Sequence, residues 1–183
     1  MPRASTNGIE LEYETFGDPH AAPLLLIAGL GAQMLSWDED FCRLLAGRGF
    51  RVIRFDNRDA GLSTWMAEPY TLDVMAGDAA GLLEALGLRA AHVVGASMGG
   101  FIAQLVALNH PDRVLTLTSI MSGPNGEDHV QPTAEGRAVL LAPAPETREG
   151  RIELGLWAKQ KLLGPADPFD ESYERARIAQ AVD

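Results

Sequence analysis

The hydrophobic pattern switches between two periods along the first two thirds of the chain. Apolar and acidic residues alternate over Ile9–Phe16, which predicts a half-exposed strand after an Asn7-Gly8 turn. Residues 24–28 are continuously apolar, as in strands buried on both faces of a parallel sheet. Further strands are predicted at residues 51–56, 92–96 and 113–120, and helices at residues 36–49, 71–87 and 98–109. This alternation predicts an α/β fold with a mainly parallel sheet flanked by helices.

The pattern changes after Gly123. Residues 123–132 are rich in turn formers, and from Thr133 onward the spacing of apolar residues predicts helices and no strand, with a last helix over residues 173–182. We therefore predict a core over residues 1–122 and an incomplete helical segment over residues 123–183.

Composition narrows the classes of function. A chain of 183 residues with 46% hydrophobic residues can bury one sizeable core. The net charge of −10 argues against nucleic acid or an anionic membrane as a partner. The single cysteine, Cys42, excludes an intramolecular disulfide and a zinc site built on several thiolates. No apolar leader stands at the N-terminus, so a cytoplasmic location is expected.

A G-x-S-x-G motif carries the candidate chemistry. It consists of Gly95-Ala96-Ser97-Met98-Gly99, with a predicted buried strand before it and a helix after it. The serine of such a motif lies on a strained tight turn that exposes its hydroxyl, and its close neighbours must be glycine or nearly so. A tight strand-to-helix turn without catalytic function would also fit these residues, but the strand before and the helix after the motif favour Ser97 as a nucleophile. The N–H of Met98 is then a candidate donor to an oxyanion.

A second candidate element follows the first buried strand. Ala28-Gly29-Leu30-Gly31 is by itself no more than a glycine-containing loop. In combination with the serine motif farther along the chain, a backbone N–H of this loop is expected to complete an oxyanion hole.

Taken together, these segments resemble a known family. The resemblance rests on residues 24–31, Trp37, residues 54–64 and residues 91–100. They occur in the order and spacing of the α/β-hydrolases, and the chain is most similar to the bacterial esterases typified by aclacinomycin methylesterase. The likeness covers residues 9–121, and the helical tail resembles the start of the family's cap.

The resemblance implies specific roles. The family's oxyanion-hole donors correspond to the N–H groups of Leu30 and Met98, while Ala28 stands where a histidine is usual. It also places Asp56, Arg58 and Ser63 in a loop that braces the floor of the site, with Asp56 and Arg58 as a structural hydrogen-bonding pair.

The other two members of a catalytic triad are not recognisable. The family order is Ser, then an acid, then His, yet no strand is predicted after Ile120. Glu127 and Asp128 are poor candidates for the acid, and His129 is interpreted as a solvated loop residue. The remaining histidines of the chain are His20, His92 and His110, none of which is a credible base.

We therefore expect a hydrolase truncated before its last strands and nearly inactive alone, because a serine without its base is a weak nucleophile. The strand at residues 114–120 would leave a hydrophobic sheet edge open to a completing segment or to self-association.

The expected activity is hydrolysis of a carboxylic ester, such as a methyl ester of an aromatic or polyketide-like small molecule, beneath an apolar cap. No metal or cofactor is implied. Two alternatives stay open: a haloperoxidase-like perhydrolase that uses the same motif, and a non-catalytic binding fragment that retains the pocket.

Overall fold

The computed structural model describes residues 2–124, 131–163 and 168–183. The chain divides into two compact units, Met1–Asn125 and Gly126–Asp183. The first unit contains a six-stranded sheet with helices, whereas the described part of the second unit is helical.

The sheet of the first unit is mixed, with its parallel strands in the middle and at one edge. Its strands are β1 (Arg3–Thr6), β2 (Ile9–Phe16), β3 (Ala22–Ile27), β4 (Phe50–Phe55), β5 (Ala91–Ala96) and β6 (Val114–Ile120). They lie in the order β1-β2-β4-β3-β5-β6. Strands β4, β3, β5 and β6 are parallel, and β1 and β2 join as an antiparallel hairpin on the β4 side. The predicted, mainly parallel α/β arrangement is confirmed.

The Asn7-Gly8 pair forms the predicted turn. Both residues have positive φ, 49° and 75°, as a two-residue hairpin turn requires. Thr6 and Ile9 pair directly across it. The strand before the turn, β1, is only four residues long and has no apolar period, which is why the sequence did not predict it.

Apolar residues of β3 point alternately to the two faces of the sheet, and each face has its own core. Leu25 and Ile27 pack among residues of two long helices, α2 (Leu72–Ala85) and α3 (Met98–Asn109). Leu24 and Leu26 pack instead against Cys42 of the short helix α1 (Glu39–Ala46). A strand that is covered on both faces must be apolar throughout, which explains the continuous run seen in the sequence.

Helix α1 begins later than the spacing of apolar residues predicts. Residues Met34–Ser36 form a separate 3₁₀ turn. The carboxylate of Asp38 then accepts a hydrogen bond from the Asp40 N–H at 2.8 Å and caps the helix. The first turn of a helix is set by such a cap rather than by hydrophobic period, so the predicted start at residue 36 is three residues early.

The second unit contains the helices α4 (Ala134–Leu140), α5 (Arg148–Leu162) and α6 (Glu171–Val182). Each begins after a side-chain cap, provided by Thr133, Thr147 and Asp170 respectively. Arg175 of α6 makes ion pairs with Glu149 and Glu153 of α5. No helix in the described part of the chain is long and apolar enough to cross a membrane.

Candidate active site

Ser97 lies at the sharp turn between β5 and α3, at the carboxyl end of the parallel strands. Its backbone angles are φ 54° and ψ −123°, a region that a residue with a Cβ rarely occupies. The Ser97 N–H donates to the Ile120 carbonyl at the end of β6, at 2.8 Å. The strain is thus held by a bond to the neighbouring strand, and the side chain is only half-buried.

Two glycines make this turn sterically feasible. A Cβ on Gly95 would lie 2.0 Å from the Gly99 carbonyl oxygen, and one on Gly99 would lie 2.2 Å from the Ile27 carbonyl oxygen. Real Cβ atoms do not approach backbone oxygens so closely. The glycines of the G-x-S-x-G motif therefore let β3, β5 and α3 meet at Ser97.

The loop that follows β3 lies directly against Ser97. A Cβ built on Gly29 would lie 3.3 Å from Ser97 Cβ and 3.8 Å from Ser97 Oγ. The next residue, Leu30, is 64% exposed, and the Ala32 N–H closes the turn on the Gly29 carbonyl at 3.3 Å. The structure thus places the loop that carries Leu30 against Ser97, the residue before Met98.

Two consecutive side chains after β4 hold this loop at its two ends. The buried amide of Asn57 donates from Nδ2 to the Ala28 carbonyl at 3.1 Å. The carboxylate of Asp56 accepts from the Met34 N–H at 2.7 Å. No role for Asn57 is predicted from the sequence; the available signal is a pair of polar residues directly after a buried strand, at the edge where parallel strands end.

The expected pairing of Asp56 with Arg58 is wrong. The second oxygen of Asp56 accepts from the Leu62 N–H at 3.1 Å. Arg58 turns the other way and makes a bidentate bond to Asp78 of α2, at 2.6 and 2.7 Å. The side chains of Asp56 and Arg58 point in different directions from the end of β4, so the partner of Arg58 comes from α2. Burial raises the pKa of Asp56, partly opposed by the two N–H donors.

Ser63 ties the same loop to the sheet. Its hydroxyl donates to the Asp56 carbonyl at 2.6 Å and accepts from the Glu12 N–H of β2 at 2.9 Å. The bracing role that the resemblance implied for this residue is confirmed by these bonds.

A cavity of about 510 Å³ opens beside the loop after β3. Its lining includes Leu30, Met98 and Tyr70 together with the polar residues Asn57 and Arg58. The Arg58 guanidinium lies 4.9 Å from the centre of the Tyr70 ring. Burial, reinforced by a hydrogen bond with Asp59, raises the pKa of Tyr70 to about 12, so the phenol stays neutral. The cavity has the size and mixed lining of a small-molecule site.

None of the histidines in the described residues is placed to activate Ser97. His20 precedes β3, His92 lies at the start of β5 and His110 follows the end of α3. All three therefore lie toward the amino ends of the parallel strands, opposite Ser97; five strand residues alone span about 16 Å. Glu127, Asp128 and His129 lie outside the described residues. Those described residues also contain no group of three His, Cys, Asp or Glu side chains that could hold a metal ion.

Comparison with known proteins settles the family. A model of the alpha/beta hydrolase fold matches residues 22–147, more than half of the chain. The chain belongs to the α/β-hydrolase family. The match includes the sharp turn, or nucleophile elbow, at Ser97, the loop after β3 and the polar residues after β4.

Among curated proteins, two Streptomyces enzymes are similar over nearly the whole chain. The rhodomycin D methylesterase DauP of Streptomyces sp. (strain C5) is 48% identical, with 92% of this chain and 64% of that protein covered. The rhodomycin D methylesterase DnrP of Streptomyces peucetius is 37% identical, with 97% of this chain and 67% of that protein covered. The chain thus spans about two thirds of the length of these relatives.

A solved structure shows the same architecture. The enol-lactonase of Burkholderia xenovorans LB400 aligns with 99% of this chain and 67% of its own, with a TM-score of 0.71 and 28% sequence identity. The α/β-hydrolase fold predicted from the sequence is therefore confirmed.

Proposed function

We propose that the protein is a serine hydrolase of carboxylic esters, with Ser97 as the nucleophile and the N–H groups of Leu30 and Met98 as the oxyanion hole. The observation that carries the proposal is the contact between the Gly29 turn and Ser97, with 3.8 Å between a Cβ position on Gly29 and Ser97 Oγ. A strained serine at a strand end and a second loop of backbone N–H groups beside it form the arrangement that acyl transfer requires.

In the proposed reaction, Ser97 Oγ attacks the ester carbonyl carbon while a base takes the hydroxyl proton. The carbonyl electrons move onto its oxygen, which accepts hydrogen bonds from Leu30 N–H and Met98 N–H. The intermediate collapses to an acyl-serine, and the alcohol leaves with the proton returned by the base. Water then attacks the acyl-serine, again with the base's help, and releases the acid.

The base and its orienting acid are the part of the triad that the described residues do not supply. We propose that they come from polypeptide beyond Asp183 that pairs with the open edge of β6. Support comes from that edge, where Leu115 and Leu117 are 54% and 41% exposed, since native proteins usually cover or otherwise protect the edge strands of a sheet. Self-association of the chain through β6 is the alternative use of the same edge.

For the substrate, we propose a methyl ester of an aromatic, polyketide-like small molecule. Support comes from the similarity to two proteins named rhodomycin D methylesterases and from the apolar part of the cavity lining, which includes Leu72 and Met75. In this proposal residues 1–122 form the core, and the helices within residues 123–183 form the start of a cap. The cytoplasmic location predicted from the sequence stays a prediction, to be checked by cell fractionation.

The test compares the 183-residue chain with the longest polypeptide that its gene encodes. Both are treated with a fluorophosphonate, the modified residue is located by mass spectrometry, and hydrolysis of aromatic methyl esters is measured. We expect labelling at Ser97 and turnover in the longer polypeptide, and neither in its Ser97→Ala variant. The shorter chain alone is expected to be at least about 10³-fold slower, because its described residues supply no base for Ser97.

Three outcomes would contradict parts of this proposal. Specific ester turnover by the 183-residue chain as a monomer would refute the need for a completing segment. Peracid formation from acetate and peroxide without methyl ester hydrolysis would indicate a perhydrolase. Tight binding of an aromatic ligand without any labelling of Ser97 would indicate a non-catalytic binding protein.

A further inference from the structure

The backbone carbonyl of Ser97 receives a side-chain hydrogen bond in addition to the backbone bonds of the helix that follows. As the residue before α3, Ser97 accepts from the Gly100 N–H at 2.8 Å in the first helical turn, with Phe101 N farther off at 3.4 Å. The hydroxyl of Ser122 approaches the same oxygen at 2.5 Å. Two close donors match the two lone pairs of a carbonyl oxygen.

This carbonyl belongs to the same peptide unit as the Met98 N–H. The unit is planar and trans, as are all the peptide bonds of the described residues, so the C=O and the N–H point in opposite directions. Whatever fixes the carbonyl therefore fixes the direction of the N–H. Hydrogen bonds in series also polarise one another, so a donor on the carbonyl makes the N–H a stronger donor.

We propose that Ser122 is a positioning residue for the oxyanion hole: its hydroxyl aligns and polarises the Ser97–Met98 peptide, and so strengthens the Met98 N–H as a donor. This inference rests on the proposed function of Ser97 and Met98. It assigns a role in the acyl-transfer step to a residue that never touches the substrate.

The surroundings of Ser122 direct its proton to Ser97. The hydroxyl also lies 3.1 Å from the Ile120 carbonyl, but it has only one proton, and the shorter contact is with Ser97. The Ser119 hydroxyl donates to the Ser122 carbonyl at 3.2 Å and so anchors the residue's backbone.

Gly100 supplies the space for this arrangement. A Cβ on Gly100 would lie 2.1 Å from Ser122 Oγ and 2.7 Å from Ser122 Cβ. The second glycine after the nucleophile is thus explained by the Ser122 side chain, whereas Gly99 is explained by the Ile27 carbonyl oxygen. The absence of a side chain at Gly100 thus makes room for the Ser122 side chain, including the hydroxyl that reaches the Ser97 carbonyl.

The competing explanation is that Ser122 only stabilises the turn after β6. A purely structural role would lower the stability of the Ser122→Ala variant but leave the Met98 amide and the reactivity of folded molecules unchanged. The experiment therefore needs a signal from the Met98 amide itself and a rate that is measured per folded molecule.

The test compares wild type, Ser122→Ala and Ser122→Cys, each in the longest polypeptide that the gene encodes, by two measurements. The first is the ¹H chemical shift of the Met98 amide in a ¹H–¹⁵N spectrum, and the second is the rate of Ser97 labelling by a fluorophosphonate, corrected for the folded fraction. Thr116→Val is the matched control, because it also removes a hydroxyl from this part of the sheet. The Thr116 hydroxyl is hydrogen-bonded to His92 at 2.8 Å, near the end of β6 that is far from Ser97.

We expect Ser122→Ala to move the Met98 amide proton upfield and to slow labelling about tenfold, less than the 10²–10³ that loss of a whole oxyanion donor costs. Thr116→Val should change neither quantity. Ser122→Cys, with a weaker donor of similar shape, should give intermediate values, and it supplies the comparison if Ser122→Ala does not fold.

An unchanged Met98 amide shift together with a wild-type labelling rate would overturn the inference. Equal effects of Thr116→Val and Ser122→Ala would also overturn it, because the effect would then belong to β6 as a whole. If wild-type Ser97 is not labelled at all, the proposed function fails, and the Met98 amide shift still tests whether Ser122 polarises this peptide.

Discussion

At the scale of single residues, Asp56 shows how a charge is used to hold backbone. Its two carboxylate oxygens accept hydrogen bonds from the N–H groups of Met34 and Leu62. The carboxylate also lies against Gly61, where a Cβ would be only 2.0 Å from Asp56 Oδ2. The side chain is 2% exposed, and its burial raises the pKa. The carboxylate thus holds two loop segments in place, although burial of its charge is energetically unfavourable.

The pH dependence of this contribution has a definite sign. A pKa that is higher in the folded state than the ordinary value of 3.8 means that folding favours the protonated form. Stability due to Asp56 is therefore greatest at low pH and falls as the pH rises from near 3.8 through the raised pKa. We expect the free energy of unfolding of wild type, minus that of Asp56→Asn, to fall over this range and then level off.

Urea unfolding of both proteins at a series of pH values measures this difference directly. Other titrating groups cancel in the comparison because both proteins contain them. A difference that rises with pH would show that the N–H donors outweigh burial and hold the folded pKa below its ordinary value.

At the scale of elements, the ion pair between Arg58 and Asp78 joins the loop after β4 to α2. Both side chains are at least 94% buried, and the Asn7 amide adds a bond to Asp78 at 3.0 Å. A buried, bidentate pair of this kind adds little net stability but leaves a costly unpaired charge when one partner is removed.

We expect Asp78→Ala to lower the free energy of unfolding by about 3–5 kcal/mol, because Arg58 would then be a buried charge without its partner. Asp73→Ala is the matched control on the same helix: its carboxylate is exposed and accepts a hydrogen bond from the Asn109 amide at 3.0 Å. That control should cost about 1 kcal/mol or less. Denaturant unfolding monitored by circular dichroism measures both, and equal losses would contradict the expectation.

The same elements show what a sequence can and cannot predict. Strands such as β2 and β6 and the helix α3 follow from local periodicity, so their positions were predicted within a residue. The partner of Arg58 was not, because it depends on which helix the fold lays over the loop. Asp78 interrupts the apolar face of α2, a signal for a buried ion pair whose partner only the three-dimensional structure supplies.

The candidate site divides in the same way. Ser97 and its glycines were found because strict sterics give the elbow a sequence signature. Asn57 and Ser122 donate hydrogen bonds to backbone carbonyls of other segments of the chain. Long-range contacts of this kind produce no fixed residue spacing that could be recognised in a sequence. The sequence therefore predicted the groups proposed to react, and the structure was needed to show the groups that hold them.

At the scale of the whole molecule, β6 is an uncharged edge strand. Leu115, Leu117 and Ile120 are 54%, 41% and 37% exposed, and the strand contains neither a charged residue nor a proline. Protected edges usually carry one of these. The described structure thus presents a surface suited to accept another strand.

We expect the isolated chain to self-associate through this edge in a concentration-dependent way, and Leu117→Lys to reduce the association, because a charge on an edge strand opposes pairing. Size-exclusion chromatography with light scattering measures both. Leu108→Lys is the control, since Leu108 is 74% exposed but belongs to α3. A wild-type chain that stays monomeric at every concentration would contradict the prediction.

The hydrogen bond from Ser97 N–H to Ile120 connects this edge to the elbow, with Ile120 as the last residue of β6. Edge strands fray from their ends, and fraying at Ile120 releases one of the bonds that hold Ser97 in its strained conformation. A strand that pairs with β6 is therefore expected to stabilise the conformation of Ser97 through the bond to Ile120. Hydrogen exchange of the Ser97 amide measures this effect. The amide should be more strongly protected when another strand is paired with β6.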